Sequence, residues 1–392
     1  MCIMESLSSG QTKARSYLDW AATAIPDTFD PGKNEPIYGN PSSLHSEGRL
    51  AREALENART RCAAVLKVLP ENIYFTSGGT ESNSLVLYSL LRRQGKVKLL
   101  YSGVEHPSVR ENCLVLERLG LPVGVIGAEK DGRVSERTLS RAFEKNPDAR
   151  FAAIMGVNNE TGSLMDLKAL VSLTRANQAK SGIHFHADLV QAIGKVCIDI
   201  SGWDLDSASF SAHKLGGPRG IGILYLKKKL EPLYTGGEQE GGIRPGTENT
   251  LGALALADVM ERHANPETVK TEHAKARERF TYLIRELKKI RRSSLIPVER
   301  EEDDPRFSPW ILQVRFRDVP GAVMVRALDD AGVAVSTGSA CSSSSPERPV
   351  LAAMGIDESA RLEGIRISQG WSTVPGDIDA LLSGIEKTLS FL

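Results

Sequence analysis

The chain has 392 residues, of which 41% are hydrophobic and 25% charged, and its 49 Lys and Arg residues balance 49 Asp and Glu residues. This composition is typical of a globular protein and argues against disorder or a fibrous repeat for most of the chain. A net charge of zero disfavours a strongly basic nucleic-acid binder. No apolar run approaches the ~20 residues of a membrane-spanning helix, and the polar N-terminus has no apolar signal core. We therefore expect a cytoplasmic protein that binds neither membranes nor nucleic acids directly.

Helical and strand-like patterns alternate from residue 46 to residue 255. Helices are predicted to start at Ser46 and to cover residues 81–91, 109–119, 136–144 and 167–180. Strands are predicted at residues 72–76, 98–102, 123–126, 151–157, 183–187, 207–211 and 222–226. Short strands that alternate with helices indicate an α/β fold with a mostly parallel sheet covered on both faces.

The pattern changes after Gly252. Helices are predicted at residues 254–265 and 269–290, followed by a strand, helix, strand, helix series over residues 310–392. We therefore expect a large domain over residues 17–254 and a smaller α+β domain over residues 255–392. The first residues of the large domain are candidates for packing with the small one, and residues 1–16 are predicted to be a disordered extension.

The five cysteines are far apart in sequence, so no CxxC motif is present and a reducing compartment is expected. Cys62, Cys113 and Cys197 lie in apolar patterns and are predicted to be buried. Cys341 lies instead among small polar residues, where a core position is not expected. An exposed cysteine without a cysteine neighbour is a candidate nucleophile, and the alternative is an inert loop cysteine.

A glycine pair, Gly78 and Gly79, separates a predicted strand from a predicted helix. Backbone N–H groups at such a helix start, together with the hydroxyl of Thr80, form a candidate phosphate cradle. The alternative is an ordinary turn, which Gly-Gly also favours. The segment matches neither the Walker A pattern nor GxGxxG.

Two charged residues end apolar strand-like segments. Asp188 lies where ligands meet the edge of open α/β sheets. His184 and His186 precede it, but no further ligand completes a set at metal spacing, so no metal is expected. Lys214 is costly to bury unless it is neutralised, for instance as a covalent imine, and the alternative is a surface lysine in a turn.

Together these segments resemble the NifS-like cysteine desulfurases, a group within the class V aminotransferase family of fold-type I pyridoxal 5′-phosphate (PLP) enzymes. The resemblance runs from Tyr17 to the C-terminus. The matching segments are residues 17–22, 39–46, 77–83, 105–106, 157–162, 188–191, 211–214, 241–249, 338–341 and 365–368. The resemblance implies a large domain with a mostly parallel seven-stranded sheet flanked by helices, plus a smaller α+β domain.

The resemblance also assigns roles to residues. Lys214 would hold PLP as an internal Schiff base, Asp188 would pair with the pyridine nitrogen, and His106 would stack on the ring and take part in catalysis. The other implied cofactor contacts are those of Gln191, Asn159, Gly79, Thr80, Ser211, His213 and, from a second subunit of a homodimer, Thr247. Arg366, with Asn159, would bind the substrate carboxylate as a bidentate fork.

The implied reaction converts L-cysteine to L-alanine and a persulfide on Cys341. Its sulfur would pass to an acceptor protein for iron–sulfur cluster assembly or thiolation. Three alternatives stay open: a selenocysteine lyase, another lyase or transaminase of the same family, and a binding protein that has lost turnover. Leu189 and Trp371 depart from the family pattern.

Overall fold

The computed structural model describes residues 15–27, 37–93, 97–176, 182–338 and 347–391. Two predictions lie outside the described residues: the extension over residues 1–14 and the placement of Cys341. The strands are β1 (Ser16–Tyr17), β2 (Ile73–Thr76), β3 (Lys98–Ser102), β4 (Val123–Ile126), β5 (Ala149–Ala153), β6 (His184–Asp188), β7 (Ser207–Ser211), β8 (Gly222–Leu226), β9 (Ser293–Ile296), β10 (Ile311–Phe316), β11 (Val333–Ala334) and β12 (Gly364–Ser368).

The helices lie between these strands along the described part of the chain, singly or in pairs. They are α1 (Ser46–Leu66), α2 (Gly79–Ser89), α3 (Pro107–Arg118), α4 (Glu136–Lys145), α5 (Leu167–Ala176), α6 (Thr250–His263), α7 (Pro266–Lys289), α8 (Gly321–Asp330), α9 (Pro349–Ala353), α10 (Glu358–Glu363) and α11 (Pro375–Phe391). No helix in these ranges is long and apolar enough to cross a membrane.

The large sheet has seven strands in the order β2-β8-β7-β6-β5-β3-β4. The neighbours from β7 to β4 pair in parallel, whereas β8 is antiparallel to both β7 and β2. The α/β fold with a mostly parallel seven-stranded sheet is therefore confirmed. Asp188 pairs with Ser209 in register, so β6 and β7 end at the same edge of the sheet.

Apolar side chains cover both faces of this sheet. Leu99 and Tyr101 on β3 belong to one buried cluster, and Leu100 between them belongs to another. Successive strand residues point to opposite faces, so the two clusters lie on opposite sides of the sheet. The near-continuous apolar pattern of the strands follows from this double burial.

Three sequence-based expectations need correction. The predicted strand 151–157 ends at Ala153, where its pairing with β3 stops and the Met155 N–H donates to the Glu105 carboxylate over 2.7 Å, although the N–H groups of Ile154 and Gly156 still donate to β6. The predicted helix 254–265 starts earlier, at Thr250, because the Asn249 side chain accepts the Gly252 N–H and caps it. Cys197 is exposed rather than buried, since it lies in an irregular surface segment between β6 and β7.

The N-terminal segment packs with C-terminal strands. A three-stranded antiparallel sheet has the order β12-β10-β9, and β1 pairs in parallel with β11. Ser16 belongs to β1, and its N–H donates to Gly332 over 3.0 Å, so the structure corrects the prediction that residue 16 lies in a disordered extension. Leu18 is fully buried in the C-terminal apolar cluster with Phe280 and Leu312.

A buried ion pair fixes α1 to the edge of the large sheet. The guanidinium of Arg59 donates to both carboxylate oxygens of Glu240, over 2.7 and 2.8 Å, and to the backbone carbonyl of Ile73. Glu240 also accepts the N–H of Phe75 over 2.7 Å. The Glu240 side chain is 1% exposed, whereas Glu56, a second partner of Arg59, is 56% exposed.

We predict that Glu240→Ala lowers the free energy of unfolding by about 3–5 kcal/mol, because it leaves the guanidinium of Arg59 buried without its main partner. The matched control, Glu56→Ala, removes an exposed partner of the same arginine and should cost less than about 1 kcal/mol. Urea unfolding at fixed protein concentration measures both. Equal losses for the two variants would contradict this account.

Candidate active site

A cavity of about 260 Å³ lies at the carboxyl edge of the parallel strands. The residues that line it include ten of the predicted site residues: Gly79, Thr80, His106, Asn159, Asp188, Gln191, Ser211, His213, Lys214 and Arg366. Thr247 is exposed and does not line this cavity. Cys341 lies outside the described residues, but Gly338, three positions before it, lines the cavity.

The turn from β2 into α2 presents backbone N–H groups to the cavity. Gly78 has φ +149°, a conformation that favours glycine. A Cβ on Gly79 would lie 2.5 Å from a methyl of Val190, so only glycine fits this close approach. The first N–H groups of the helix have no intrahelical partner, so the start of α2 is suited to bind an anion.

Asp188 lies at the end of β6 and is held in one orientation. One of its carboxylate oxygens accepts from the Asn83 side chain over 2.8 Å and the other accepts the Val190 N–H over 3.0 Å. The carbonyl of Asn83 is bonded in turn to His186 Nε2 over 2.9 Å. Burial lowers the pKa of His186 to about 3, so this ring is neutral and donates. His186 thus supports Asp188 through Asn83.

The segment after β3 adds a second acid and a ring. Glu105 is 1% exposed, and burial together with the neighbouring Asp188 raises its pKa well above the usual value. His106 Nδ1 accepts the Ser108 N–H over 3.1 Å, which leaves the proton of the neutral ring on Nε2. Burial lowers the pKa of His106, so the neutral form is favoured.

A tight turn carries Asn159 to the cavity. The side-chain oxygen of Asn158 accepts the N–H groups of Glu160 and Thr161, both over 2.9 Å, and its Nδ2 donates to Val104. Asn158 is fully buried, so these bonds form away from water. The turn therefore sets the position of Asn159 relative to the sheet.

Lys214 follows β7 and points to the N-terminal segment. Its Nζ donates to the carbonyls of Ala21 and Ala22 over 2.6 and 2.7 Å. Gln191 Nε2 donates to the same Ala21 oxygen over 2.8 Å. His213 is hydrogen-bonded to Thr23 over 3.2 Å, and burial lowers its pKa to about 4. The N-terminal segment therefore closes one side of the cavity.

Arg366 reaches the cavity from β12, in the other sheet. It is 2% exposed and donates to the Asp19 carboxylate over 2.8 Å and to the Asn159 carbonyl over 2.9 Å. Its Nε has no hydrogen-bond partner among the described residues. A third donor bond runs to the carbonyl of Gly338 over 3.4 Å. The guanidinium is thus held in place with donor capacity left for an anionic ligand.

The donor set fits PLP. The start of α2 with Ser211 suits a phosphate, the carboxylate of Asp188 suits a protonated pyridine nitrogen, and Lys214 supplies a primary amine for an aldehyde. Two buried atoms, Glu105 Oε2 and Asn159 Oδ1, have no hydrogen-bond partner within the described ranges, and both residues line the cavity. Among these same ranges no group of three or more His, Cys, Asp or Glu could hold a metal ion.

Several residues that support the site had no role predicted from the sequence. Asn83 and Asp19 lie within segments that match the family pattern and Ser108 lies just after one, but nothing in their spacing indicated which side chain each contacts. Glu105 was visible only as the neighbour of His106. Lys195 was missed because its spacing, four positions after Gln191, is that of an ordinary pair on a helix surface.

The two departures from the family pattern lie outside the cavity lining. Leu189 is fully buried, and its Cδ2 lies 2.7 Å from where a Cβ on Gly156 would be. Trp371 stacks on His263 with ring centroids 4.3 Å apart and meets Trp20 edge-on at 5.5 Å. Both residues therefore pack the protein around the site rather than contact a ligand.

Comparisons with known proteins agree with this geometry. The chain is 35% identical to cysteine desulfurase IscS of Dictyoglomus turgidum, over 97% of this chain and 96% of that protein. It is 33% identical to a mitochondrial cysteine desulfurase of Arthroderma benhamiae, over 96% of this chain and 75% of that protein. A solved structure titled NifS-like protein superimposes with a TM-score of 0.86 at 31% identity, covering 96% of this chain and all of that one.

A family model also matches most of the chain. The aminotransferase class-V model aligns with residues 16–381, a range that contains every residue lining the cavity. The chain therefore belongs to the aminotransferase class-V family, whose cofactor is PLP.

Proposed function

We propose that this class V enzyme is a cysteine desulfurase, which converts L-cysteine to L-alanine and leaves a persulfide on Cys341. One observation carries the proposal: Arg366 lines the same cavity as Lys214 and hydrogen-bonds the carbonyl of Gly338. Three residues of chain span at most about 11 Å, so covalent geometry keeps Cys341 within reach of a ligand held by Arg366. A transaminase would need no thiol at this distance.

The substrate carboxylate is the proposed ligand of Arg366. Its guanidinium is already oriented by Asp19 and by the carbonyl of Asn159, so little side-chain entropy is lost when a carboxylate binds. Asn159, presented by the turn that Asn158 organises, adds an amide beside it. This pair would place the α-carbon of cysteine near Lys214.

Lys214 is the proposed proton carrier. When bound, PLP supplies an electron-accepting ring that stabilises the charge left on the α-carbon after proton loss. Lys214 Nζ would hold the cofactor in the resting enzyme, and the same amine would take the α-proton of the substrate. The carboxylate of Asp188, fixed by Asn83 and Val190, would keep a proton on the ring nitrogen, and His106 would cover the ring.

Cys341 is the proposed sulfur acceptor. Its thiolate attacks the substrate Sγ, the S–S bond forms, and the Cβ–Sγ bond breaks with its electron pair left on carbon. That carbon takes up a proton and becomes the methyl group of alanine. No external oxidant or reductant enters: the two electrons that the sulfur atoms lose when the S–S bond forms stay on the β-carbon, and the proton lost from the Cys341 thiol balances the one that this carbon takes up.

The proposed assembly is a homodimer in which Thr247 completes the phosphate site of the second subunit. Thr247 is exposed and follows a glycine-rich segment in which Gly241, Gly242 and Gly246 have φ of +60°, +79° and +101°. We further propose delivery of the sulfur to an acceptor protein, for iron–sulfur cluster assembly or thiolation. Relatives include a mitochondrial protein, so a cytoplasmic location stays a prediction.

We predict that Cys341→Ala binds L-cysteine but releases no alanine, because the binding residues are unchanged and only the acceptor thiol is lost. Cys197→Ala, which removes an exposed cysteine, is the matched control and should release alanine at the wild-type rate. Alanine is measured under reducing conditions. Alanine release at the wild-type rate by Cys341→Ala would contradict the proposal and favour a transaminase or lyase. Faster turnover of L-selenocysteine than of L-cysteine by the wild type would favour a selenocysteine lyase.

We predict that Lys214→Ala loses the visible absorption of lysine-bound PLP, together with turnover. Borohydride reduction of the wild type should fix PLP on the peptide that contains Lys214, since its amine faces the cavity. The matched control is Lys275→Ala on α7, where the side chain is exposed. A borohydride-fixed label on any other lysine would refute the assignment.

We predict that Thr247→Ala raises the Kd for PLP about tenfold or more, because it removes a hydroxyl bond to a charged phosphate in the neighbouring subunit. Thr271→Ala, an exposed threonine on α7, is the control and should leave the Kd unchanged. Equilibrium titration and sedimentation measure affinity and association together. A monomer that binds PLP and turns over normally at high dilution would contradict the shared site.

A further inference from the structure

Lys195 is a buried cation directly behind the cavity, and the reaction described above does not use it. It is 1% exposed and forms no ion pair with any carboxylate in the described part of the chain. Its backbone is fixed, since the carbonyl accepts the indole N–H of Trp310 over 2.8 Å. A charged lysine in such a place costs stability, because an unpaired charge loses its hydration.

A chain of hydrogen bonds links this lysine to the site. Lys195 Nζ donates to Gln191 Oε1 over 3.0 Å, and Gln191 Nε2 donates to the Ala21 carbonyl over 2.8 Å. The same carbonyl accepts from Lys214 Nζ over 2.6 Å. Lys195 therefore contacts the side chain that lies beside Lys214, without itself lining the cavity.

The two partners of Gln191 allow only one orientation of its amide. In the observed orientation the oxygen faces a donor, Lys195, and the nitrogen faces an acceptor, the carbonyl of Ala21. A rotation of the amide by a half turn would put NH₂ against the amine and oxygen against the carbonyl. With Lys195 charged, both contacts would then be repulsive in a buried site, where unmade hydrogen bonds cost most.

We propose that Lys195 is a positioning residue for the cofactor: it holds the Gln191 amide so that its N–H side, and not its oxygen, faces the ring oxygen of PLP. A methionine or leucine at this position would fill the space but would remove one of the two contacts that set the orientation of the amide. The inference rests on the proposed contact between Gln191 and the ring.

The positioning role is strongest when Lys195 is charged. Burial, followed by the positive charges of Lys214 and Arg366, lowers the pKa of Lys195 to about 7, and His213 is a further titratable group in its surroundings. Both the ammonium and the neutral amine donate to Gln191 Oε1, but the neutral amine also has a lone pair that accepts a hydrogen bond. Lys195 therefore sets the orientation of Gln191 most strongly below about pH 7, where it is charged.

The test is a double-mutant cycle with the Kd for PLP as its readout. Lys195→Met in the wild-type background should raise the Kd about tenfold, which is the effect of one misoriented hydrogen bond. In the Gln191→Leu background the same substitution should change the Kd less than about twofold, because the amide through which Lys195 acts is gone. Equal effects in the two backgrounds would overturn the proposal in favour of a purely structural lysine.

A second variant keeps the test decisive if Lys195→Met does not fold. Gln191→Glu retains an acceptor for Lys195 but offers no N–H to the ring, so it should bind PLP at least tenfold more weakly than the wild type. Wild-type affinity in Gln191→Glu would refute the proposal. Neither arm requires turnover, so a failure of alanine release in the earlier experiments would count against the proposed function and not against this one.

The pH dependence of stability separates folding from positioning. Because the pKa of Lys195 falls from 10.5 to about 7 on folding, the native protein binds fewer protons than the unfolded chain between these values, and its stability rises with pH there. Lys195→Met should remove this rise, so its melting temperature should exceed that of the wild type most below about pH 7. A variant with weakened PLP binding and an unshifted or higher melting temperature supports positioning; an equal loss of stability at every pH contradicts it.

Discussion

One backbone carbonyl, that of Ala21, joins the parts of the site. It accepts N–H groups from Gln191, after β6, and from Lys214, after β7. The segment that supplies it continues from β1, which pairs with β11, and includes Asp19, the ion-pair partner of Arg366. The position of this short N-terminal segment therefore determines how the large sheet and the C-terminal strands face each other across the cavity.

Burial disfavours charged side chains, yet several charged groups lie around the cavity. The carboxylate of Asp188 is stabilised by hydrogen bonds from the Asn83 amide and a backbone N–H. Burial and the charge of Asp188 raise the pKa of the neighbouring Glu105. On the other side, Arg366 is paired with Asp19, whereas Lys195 has its pKa lowered. The site thus holds charge where a ligand needs it and suppresses it elsewhere.

The sequence predicted the sheet and much of the site for physical reasons. β3, β7 and β8 have the predicted bounds because runs of apolar residues bounded by breaks allow few other structures. The supporting contacts were not predictable in the same way. That His186 supports Asp188 through Asn83 depends on packing between α2 and β6, residues about a hundred positions apart, which periodicity does not report.

The errors have equally local causes. The end of β5 was predicted wrongly because its pairing with β3 stops at Ala153 and the Glu105 side chain accepts the Met155 N–H. Cys197 was predicted to be buried because its sequence neighbours are apolar, but this segment lies at the surface. The importance of Lys195 follows from its side-chain contact with Gln191, four positions earlier in a run of turns, a spacing that in sequence also describes an ordinary surface pair.

The central claim is that sulfur moves from L-cysteine to Cys341 in a cavity built around Lys214, Asp188 and Arg366. The most direct measurement is a single turnover without reductant, followed by mass spectrometry of the intact protein and its peptides. The account predicts a gain of the mass of one sulfur atom on the peptide that contains Cys341, with one alanine released for each sulfur bound. Alanine release without added sulfur, or sulfur found on another cysteine, would contradict it.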